Sequence, residues 1–268
     1  MQLTPIAGIT NLPRMPKIRN LLIVGTACAV VVTGGVAFAA TNRSSGLPTG
    51  VYFQNEGTLQ GWDNPNPKPQ WKGVIKNVTS PSYKGGTAIM AQQTYVKSNG
   101  TRYHAEVLHQ HVQSMGQDRY YGETLYLPAT WVFHDQPVAF EQWAGENPGG
   151  PWLLMEVNGD KLRYLDDGGT GYNDVTSLDN LRGTWIRIVT HIHMAKSGGQ
   201  LDIWVNGKRM ISRTGKVAPG KATTLRWSTG MYETYWFREK PKGPSVLTYY
   251  LDHFRVASSY ALAEPANW

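Results

Sequence analysis

Arg102, His104 and Glu106 alternate along a segment that the sequence predicts to be a β-strand. Successive side chains of a strand point to opposite faces, so these three share one face. They bring together a permanent cation, an imidazole that titrates near neutral pH and a carboxylate. Such a row can bind an anionic substrate and transfer a proton. Taken alone, the row is also compatible with a structural ion cluster.

The elements that must position this row are short strands separated by turns. The 268 residues include 29 glycines, 16 prolines, 14 tyrosines and 10 tryptophans. Turn residues between short apolar runs favour an all-β sandwich or barrel, and no helical period extends beyond a turn or two. Strands are predicted near residues 73–79, 87–92, 102–112, 120–127, 137–144, 152–157, 161–165 and 245–257.

The clearest predicted hairpin spans residues 184–213. Ile186 and Ile192 belong to an alternating set that is nearly all apolar, which predicts that this face of the strand meets the core. The opposite face carries polar residues. Asn206-Gly207 is a strong signal for a tight turn at the end of the return strand.

Residues 1–39 have the pattern of a signal peptide. Lys17 and Arg19 precede an apolar stretch, and Ala37-x-Ala39 supplies the small residues that a signal peptidase recognises. We predict cleavage after Ala39 and therefore a secreted protein. The alternative is an uncleaved membrane anchor, because about 20 apolar residues can span a bilayer. Residues 40–50 then form a linker and residues 51–268 a single domain.

The charge and cysteine content limit the classes of partner and of chemistry. The formal net charge is +7, of which Arg14, Lys17 and Arg19 in the N-terminal segment contribute three units. The remaining basic excess can attract an acidic polymer, although it is also ordinary for a soluble protein. No dense run of Lys and Arg indicates nucleic-acid binding, and nothing implies a protein partner. Cys28, the only cysteine, lies in the N-terminal segment, so the predicted mature chain has no disulfide and no thiol nucleophile.

Several segments, taken in order, resemble a known family. They are Arg102-x-His104-x-Glu106, Tyr121 to Pro128, Phe140 to Trp143, Trp204 to Lys208, Thr229 to Tyr232 and Leu251 to Val256. This set is similar to polysaccharide lyases of the alginate-lyase-like and heparin lyase I clan, in particular to the glucuronan lyase branch. The resemblance implies a β-jelly roll, a concanavalin-like sandwich of two curved antiparallel sheets. It further implies that the concave face binds an acidic polysaccharide.

The resemblance also implies the reaction and the residues that perform it. In β-elimination a uronic acid loses its C5 proton after its carboxylate is neutralised, and the leaving oxygen is protonated. No cofactor is required for this chemistry. Gln142 matches the glutamine that contacts the uronate carboxyl, His104 matches a carboxylate neutraliser or base, and Tyr232 matches the acid, the base or both. The implied substrate-binding residues are Arg102, Glu106, Trp143 and Tyr235, although Trp143 should point away from Gln142 on a regular strand.

A structural calcium ion is the one metal that the resemblance suggests. Asp252, on the last predicted strand, resembles the aspartate that helps to bind calcium in many jelly-roll carbohydrate enzymes. Glu56 is a candidate partner, since calcium prefers carboxylate and carbonyl oxygens. The alternative is that Asp252 is simply an exposed acid on an edge strand.

Departures from the family pattern leave other functions open. Many clan members have arginine where this chain has His104, and Tyr232 is followed by Glu233 instead of a basic residue. One rival is a non-catalytic, lectin-like jelly roll. Another is a jelly-roll glycoside hydrolase, but that class needs two carboxylates facing each other across the scissile bond. Glu141 and Glu146 are five residues apart and are predicted to face opposite sides.

Overall fold

The structure is a computed structural model that describes residues 46–64, 73–97, 103–147, 149–166 and 171–268. The chain divides into Met1–Asn42 and Arg43–Trp268, and every described residue belongs to the second unit. The predicted signal peptide, residues 1–39, therefore lies outside the described residues. Among the helices of the described ranges, none has the length and apolar character needed to cross a membrane.

The described chain is built from strands arranged in two antiparallel sheets. The eight-stranded sheet has the order β12-β11-β10-β5-β14-β3-β2, with β1 also paired to β14, and the six-stranded sheet has the order β4-β13-β6-β7-β8-β9. The strands are β1 (Val51–Asn55), β2 (Gly73–Val78), β3 (Ala88–Thr94), β4 (Tyr103–Ser114), β5 (Asp118–Tyr126), β6 (Val138–Glu146), β7 (Gly150–Asn158), β8 (Lys161–Asp166), β9 (Gly171–Ser177), β10 (Trp185–His193), β11 (Ala195–Val205), β12 (Lys208–Val217), β13 (Thr224–Glu233) and β14 (Val246–Ala257). A short α-helix, α1 (Tyr260–Ala263), and a 3₁₀ turn, Pro265–Asn267, follow β14.

This architecture confirms the predicted all-β jelly roll. The predicted hairpin is present, because β10 and β11 pair with Ile188 opposite Val205. Ile186 and Ile192 of its apolar set are fully buried in the core. The polar set lies on the outer face, where the ring of His191 contacts Asp202 at 3.0 Å and Asp118 at 2.9 Å.

The core lies between the two sheets. Alternation along β4 shows how burial in this core determines which side chains point outward. Tyr103, Ala105 and Val107 are fully buried in the core. His104 and Glu106 therefore project from the opposite surface of the six-stranded sheet, which we call the open face. The core fixes which side chains can reach a substrate, because a shift of one residue would reverse the two sets.

A bulge interrupts the pairing of β13 with β6 beside the candidate site. The register passes from Thr229 opposite Glu141 to Tyr232 opposite Ala139, so β13 carries one extra residue. Gly230 lies in this bulge with φ of 138°. A Cβ atom at Gly230 would collide with the carbonyl oxygen of Ala105. Only glycine therefore allows β13 to approach β4 this closely.

Candidate active site

Three neighbouring strands bring the predicted catalytic residues together on the open face. In the pairing of β13 with β4, Tyr232 lies opposite His104 and Gly230 lies opposite Glu106. In the pairing of β13 with β6, Ser228 lies opposite Gln142. The order β4-β13-β6 thus assembles side chains that are far apart in sequence.

His104 and Tyr232 form a face-to-face pair of rings. Their centroids are 3.9 Å apart and their planes differ by 11°. Residues directly opposite each other on antiparallel strands have close Cβ atoms, which allows this stacking. The imidazole and the phenol are the two proton-transfer groups of the predicted site, and the pairing places them side by side.

Glu106 links His104 to Gln142. One carboxylate oxygen lies 2.5 Å from His104 Nδ1, and the other accepts a hydrogen bond from Gln142 Nε2. Only about an eighth of each side chain is exposed, 13% for His104 and 12% for Glu106. A carboxylate at Nδ1 orients the imidazole and, in the neutral ring, holds the proton on that nitrogen. Glu106 therefore positions both partners.

Tyr249, on β14 of the eight-stranded sheet, reaches across the core to the bulge. Its hydroxyl lies 2.6 Å from the carbonyl oxygen of Gly230 and 3.1 Å from that of Ala139. Tyr249 is fully buried, so it does not contact a substrate. Burial, followed by the nearby charge of Glu106, raises the pKa of Tyr249 well above its usual range, which keeps the hydroxyl a donor.

Two buried carboxyl groups lie beneath the site. The Glu123 carboxyl lies 2.8 Å from the Thr229 hydroxyl, and Glu141 accepts a hydrogen bond of 2.9 Å from the Trp227 indole. Burial raises the pKa of Glu123 to about 8. Burial, with the charge of Glu123 added, raises the pKa of Glu141 well above its usual range. Both groups thus carry a proton near neutral pH, and a protonated Glu123 leaves Thr229 able to donate to the carbonyl oxygen of Phe140, 3.1 Å away.

The row of residues that includes Tyr232 continues across the open face. Tyr232 lies opposite Ala139, which lies opposite Glu156, which in turn lies opposite Arg163. Arg163 contacts Glu156 at 3.0 Å, and its guanidinium lies 4.2 Å from the ring centroid of Tyr172. Tyr172 is 52% exposed. Arg163 and Tyr172 were not among the predicted substrate-binding residues.

Tyr235 lies close to this aromatic and cationic surface, because burial first, and then the nearby Glu156 and Tyr235, raise the pKa of Tyr172. Glu233 holds the Tyr235 segment in place by accepting the main-chain N–H groups of Tyr235, at 3.0 Å, and of Trp236. Burial raises the pKa of Glu233 to about 8. The acidic residue after Tyr232 is thus a structural cap and does not point toward the substrate.

Two predicted substrate-binding residues require comment. Trp143 is fully buried and packs edge-on against Tyr121, with centroids 5.2 Å apart. The predicted sugar-stacking role of Trp143 is therefore wrong, because alternation along β6 turns its ring into the core. Arg102 lies outside the described residues, so its proposed role stays a prediction.

The two predicted calcium ligands have protein partners. Asp252 is fully buried and accepts the main-chain N–H groups of Tyr83, at 2.8 Å, and of His253, at 2.7 Å. Glu56 accepts a hydrogen bond of 3.1 Å from the Gln54 amide. In the part of the chain that the structure describes, no three His, Cys, Asp or Glu side chains form a metal-binding group. The alternative of an exposed acid on an edge strand is wrong, because Asp252 is buried and β14 lies between β5 and β3. The calcium site stays a prediction, and an ion at Asp252 would need main-chain oxygens as further ligands.

The acidic residues of β6 do not form the pair that a glycoside hydrolase needs. Glu141 points into the core, where it contacts Trp227. Glu146, at the end of β6, contacts His111 Nδ1 at 2.8 Å. Glu141 and Glu146 therefore do not face each other, which agrees with the prediction from their spacing.

Comparison with known families decides between the remaining classes. The profile of the family described as polysaccharide lyase matches residues 54–255, which is most of the chain. The chain belongs to this polysaccharide lyase family. The enzyme is therefore a lyase, and the lectin-like and hydrolase alternatives are set aside. A search of curated proteins gives no match for this lyase.

Solved structures share the fold of this polysaccharide lyase. The endo-β-1,4-glucuronan lyase of the fungus Trichoderma reesei has a TM-score of 0.73 at 21% identity, covering 81% of this chain and 100% of its own. An alginate lyase from Chlorella virus has a TM-score of 0.50 at 11% identity, covering 71% and 94%. A cellulose-induced protein has a TM-score of 0.50 at 14% identity, covering 76% and 97%. At these identities the likeness concerns the fold.

Proposed function

We propose that this polysaccharide lyase is exported and cleaves a glucuronan-like uronic-acid polymer by β-elimination. The observation that carries the proposal is the contact of Glu106 with both His104 and Gln142, beside the stacked ring of Tyr232. The similarity in fold to an endo-β-1,4-glucuronan lyase supports the choice of polymer. The signal-peptide pattern of residues 1–39 supports export.

Gln142 has the chemistry needed to hold the uronate carboxylate. Its amide nitrogen carries two hydrogens, of which one is donated to Glu106. The second can be donated to the substrate carboxylate. Neutralising that carboxylate stabilises the enolate-like charge that develops when the C5 proton leaves. Glu106 itself is an anion, so its role is to orient Gln142 and His104 and not to bind the uronate.

His104 and Tyr232 are the proton-transfer pair. The neutral imidazole with its proton on Nδ1, facing Glu106, is basic at Nε2, and we assign Nε2 as the acceptor of the C5 proton. The electrons of the C5–H bond then form the C4–C5 double bond as the C4–oxygen bond breaks. The Tyr232 hydroxyl donates its proton to the leaving glycosidic oxygen. The stacking distance of 3.9 Å keeps both groups next to one sugar unit.

The residues that continue the row provide binding for further sugar units. Arg163 lies three strands from Tyr232, which corresponds to about 14 Å at ~4.8 Å per strand. Its guanidinium can attract a uronate carboxylate, and the exposed ring of Tyr172 can stack on a sugar. We assign Tyr235 to the same surface, since it lies close enough to Tyr172 to add to the rise in pKa that burial causes there.

The proposal is tested by incubating the protein with glucuronan, alginate and heparin and measuring the ultraviolet absorbance of the unsaturated product. We expect absorbance to rise fastest with glucuronan. Tyr232→Phe and Gln142→Ala should each abolish turnover while the far-ultraviolet spectrum stays that of the native fold. Tyr250→Phe is the matched control, because Tyr250 lies on β14 of the other sheet. New reducing ends without absorbance would contradict β-elimination.

Export has its own test. We expect the protein recovered from the medium of the producing cells to begin at Ala40, as cleavage after Ala39 requires. A cell-bound protein that retains residues 1–39 would instead support the membrane anchor.

A further inference from the structure

A pocket of about 240 Å³ lies between the turn that joins β6 to β7 and the segment that joins β12 to β13. We call it the lysine pocket. Among the described residues, its lining has two basic side chains, several small residues and no acidic residue. It is smaller than a typical pocket for a drug-sized ligand and suits a single small unit. Its lining consists of Gly145, Gly149, Gly150, Pro151, Trp152, Lys216, Pro219, Gly220, Lys221 and Ala222.

Lys216 and Lys221 supply the pocket with charge that the protein does not balance. Both residues are exposed. Among the described residues, neither ammonium group forms a hydrogen bond or an ion pair. Positive charges that line one concavity without a protein counterion favour an anionic ligand. The glycines in the wall let a ligand come close to the main chain.

The lysine pocket lies at the end of the open face. Arg226 of β13 lies opposite Ala144 of β6, and Ala144 lies opposite Pro151, which lines the pocket. Leu225 and Trp227, on either side of Arg226, are fully buried, so Arg226 projects from the open face. Like the lysines, Arg226 has no ion pair among the described residues.

The cationic side chains extend along the open face toward the lysine pocket. Ser228 lies opposite Gln142, and Arg226 is two residues from Ser228 along β13. The distance from Ser228 to Arg226 along the strand is therefore about 7 Å, at ~3.3 Å per residue. Gly145, in the pocket wall, is three residues from Gln142 on β6, or about 10 Å. Cations therefore follow the open face from the proposed cleavage point to the pocket.

We propose that the lysine pocket is an accessory subsite that binds a uronate unit of the same polysaccharide, away from the unit that is cleaved. Lys216 and Lys221 contact the carboxylate of that unit, and Arg226 contacts a carboxylate of the intervening chain. The subsite favours long acidic chains over short ones and over neutral glucans. This inference rests on the proposed function, because it takes the ligand from it.

The test compares two double variants that remove the same charge. Lys216→Gln with Lys221→Gln changes the pocket, and Lys196→Gln with Lys208→Gln is the control on β11 and β12. Binding of uronan oligosaccharides, from disaccharide to octasaccharide, is measured by calorimetry in the Tyr232→Phe background, where turnover is prevented. We expect the pocket variant to bind the octasaccharide about tenfold more weakly, because it loses two partly exposed charge contacts, which together account for about a tenfold change in Kd. The affinity for the disaccharide should not change.

Two results would overturn the subsite. One is an equal loss in the control variant, which would show a general charge effect. The other is unchanged octasaccharide affinity in the pocket variant. The proposed function fails separately, if the wild-type enzyme forms no unsaturated product from any uronan, and the binding measurement still decides on the pocket in that case. A neutral cello-oligosaccharide serves as the ligand control. Its affinity should be the same for the parent Tyr232→Phe protein and for both double variants.

Discussion

The hydroxyl of Tyr249 donates to the carbonyl oxygen of Gly230 from the opposite sheet, across 2.6 Å. Gly230 is the bulge residue that determines how far Tyr232 is advanced relative to Gln142. The same hydroxyl lies 3.1 Å from the carbonyl oxygen of Ala139, on the other side of the bulge. A residue that never meets the substrate thus fixes the spacing of two residues that do.

Removal of this hydroxyl should impair catalysis without changing its chemistry. Tyr249→Phe keeps the ring but leaves two buried carbonyl groups without their donor. We therefore expect the free energy of unfolding to fall by about 1–3 kcal/mol. Loss of alignment should lower kcat by about tenfold or more. The readouts are urea denaturation and the pH profile of kcat. A merely displaced site keeps the profile of the wild type, whereas a changed profile would mean that Tyr249 takes part in proton transfer.

Replacement of His104 separates its two candidate roles. Arginine can neutralise a carboxylate but cannot accept a proton at neutral pH. If His104 is the base, His104→Arg should lose at least about 100-fold in kcat, the usual range for a lost general base. Retention of most of the activity would show instead that His104 only neutralises the uronate. Glu106→Gln, assayed alongside, tests the orienting contact to Nδ1.

The buried carboxyls beneath the site should make stability fall as pH rises. The pKa of Glu123 is about 8 in the folded state, against an ordinary value of 4.5, so between these values the folded state holds a proton that the unfolded chain has lost. One such proton lowers the unfolding free energy by about 1.4 kcal/mol per pH unit. Glu141, whose pKa burial and the charge of Glu123 also raise, adds to the same trend.

Glu123→Gln should reduce the slope of unfolding free energy against pH by the contribution of about one proton. The measurement is urea denaturation from about pH 5 to pH 8. Glu56→Gln is the control, because Glu56 is exposed. An unchanged slope in Glu123→Gln would show that Glu123 is ionised in the folded state.

Trp143 and Tyr172 should respond to substitution in opposite ways. Trp143→Phe removes buried volume in the core, so we expect a loss of about 1–3 kcal/mol in stability and no change in KM. Tyr172→Ala removes an exposed ring from the open face, so we expect KM to rise with little loss of stability. Steady-state kinetics with denaturation curves for both variants provide the comparison. A raised KM in Trp143→Phe without any loss of stability would contradict the assignment of Trp143 to the core.

Asp252 should stabilise the fold through its main-chain contacts. Asp252→Ala leaves the N–H groups of Tyr83 and His253 without acceptors, so we expect the free energy of unfolding to fall by about 2–4 kcal/mol. A chelator distinguishes this role from that of a metal ligand. If a chelator lowers the melting temperature of the wild type and calcium restores it, then Asp252 also holds calcium. If neither has an effect, its contribution comes from the protein contacts alone.

Local pattern was sufficient to predict most of the strands and the faces of several. Alternation predicted that His104 and Glu106 share a face and that Trp143 points away from Gln142, as the structure shows. The strand that carries Tyr232 was not among the predicted ones. Its alternation of buried Leu225 and Trp227 is interrupted by the bulge at Gly230, and a period-two pattern cannot follow an extra residue.

Contacts between strands that are distant in sequence could not be predicted. The bond from Gln142 to Glu106 depends on β13 lying between β4 and β6, an order that no local pattern reveals. The link from Tyr249 to Gly230 crosses from one sheet to the other. Arg163 and Tyr172 belong to the site only because the register aligns their strands with Tyr232.

The position of β14 has a consequence for how the chain acquires its structure. This last strand lies between β5 and β3 in the eight-stranded sheet and also pairs with β1, the first strand. The centre of this sheet therefore stays incomplete until Val246–Ala257 have been synthesised. Pairings of such long sequence separation slow folding, and the earlier strands expose unpaired edges in the meantime. Folding yield should depend on how those edges are protected during synthesis.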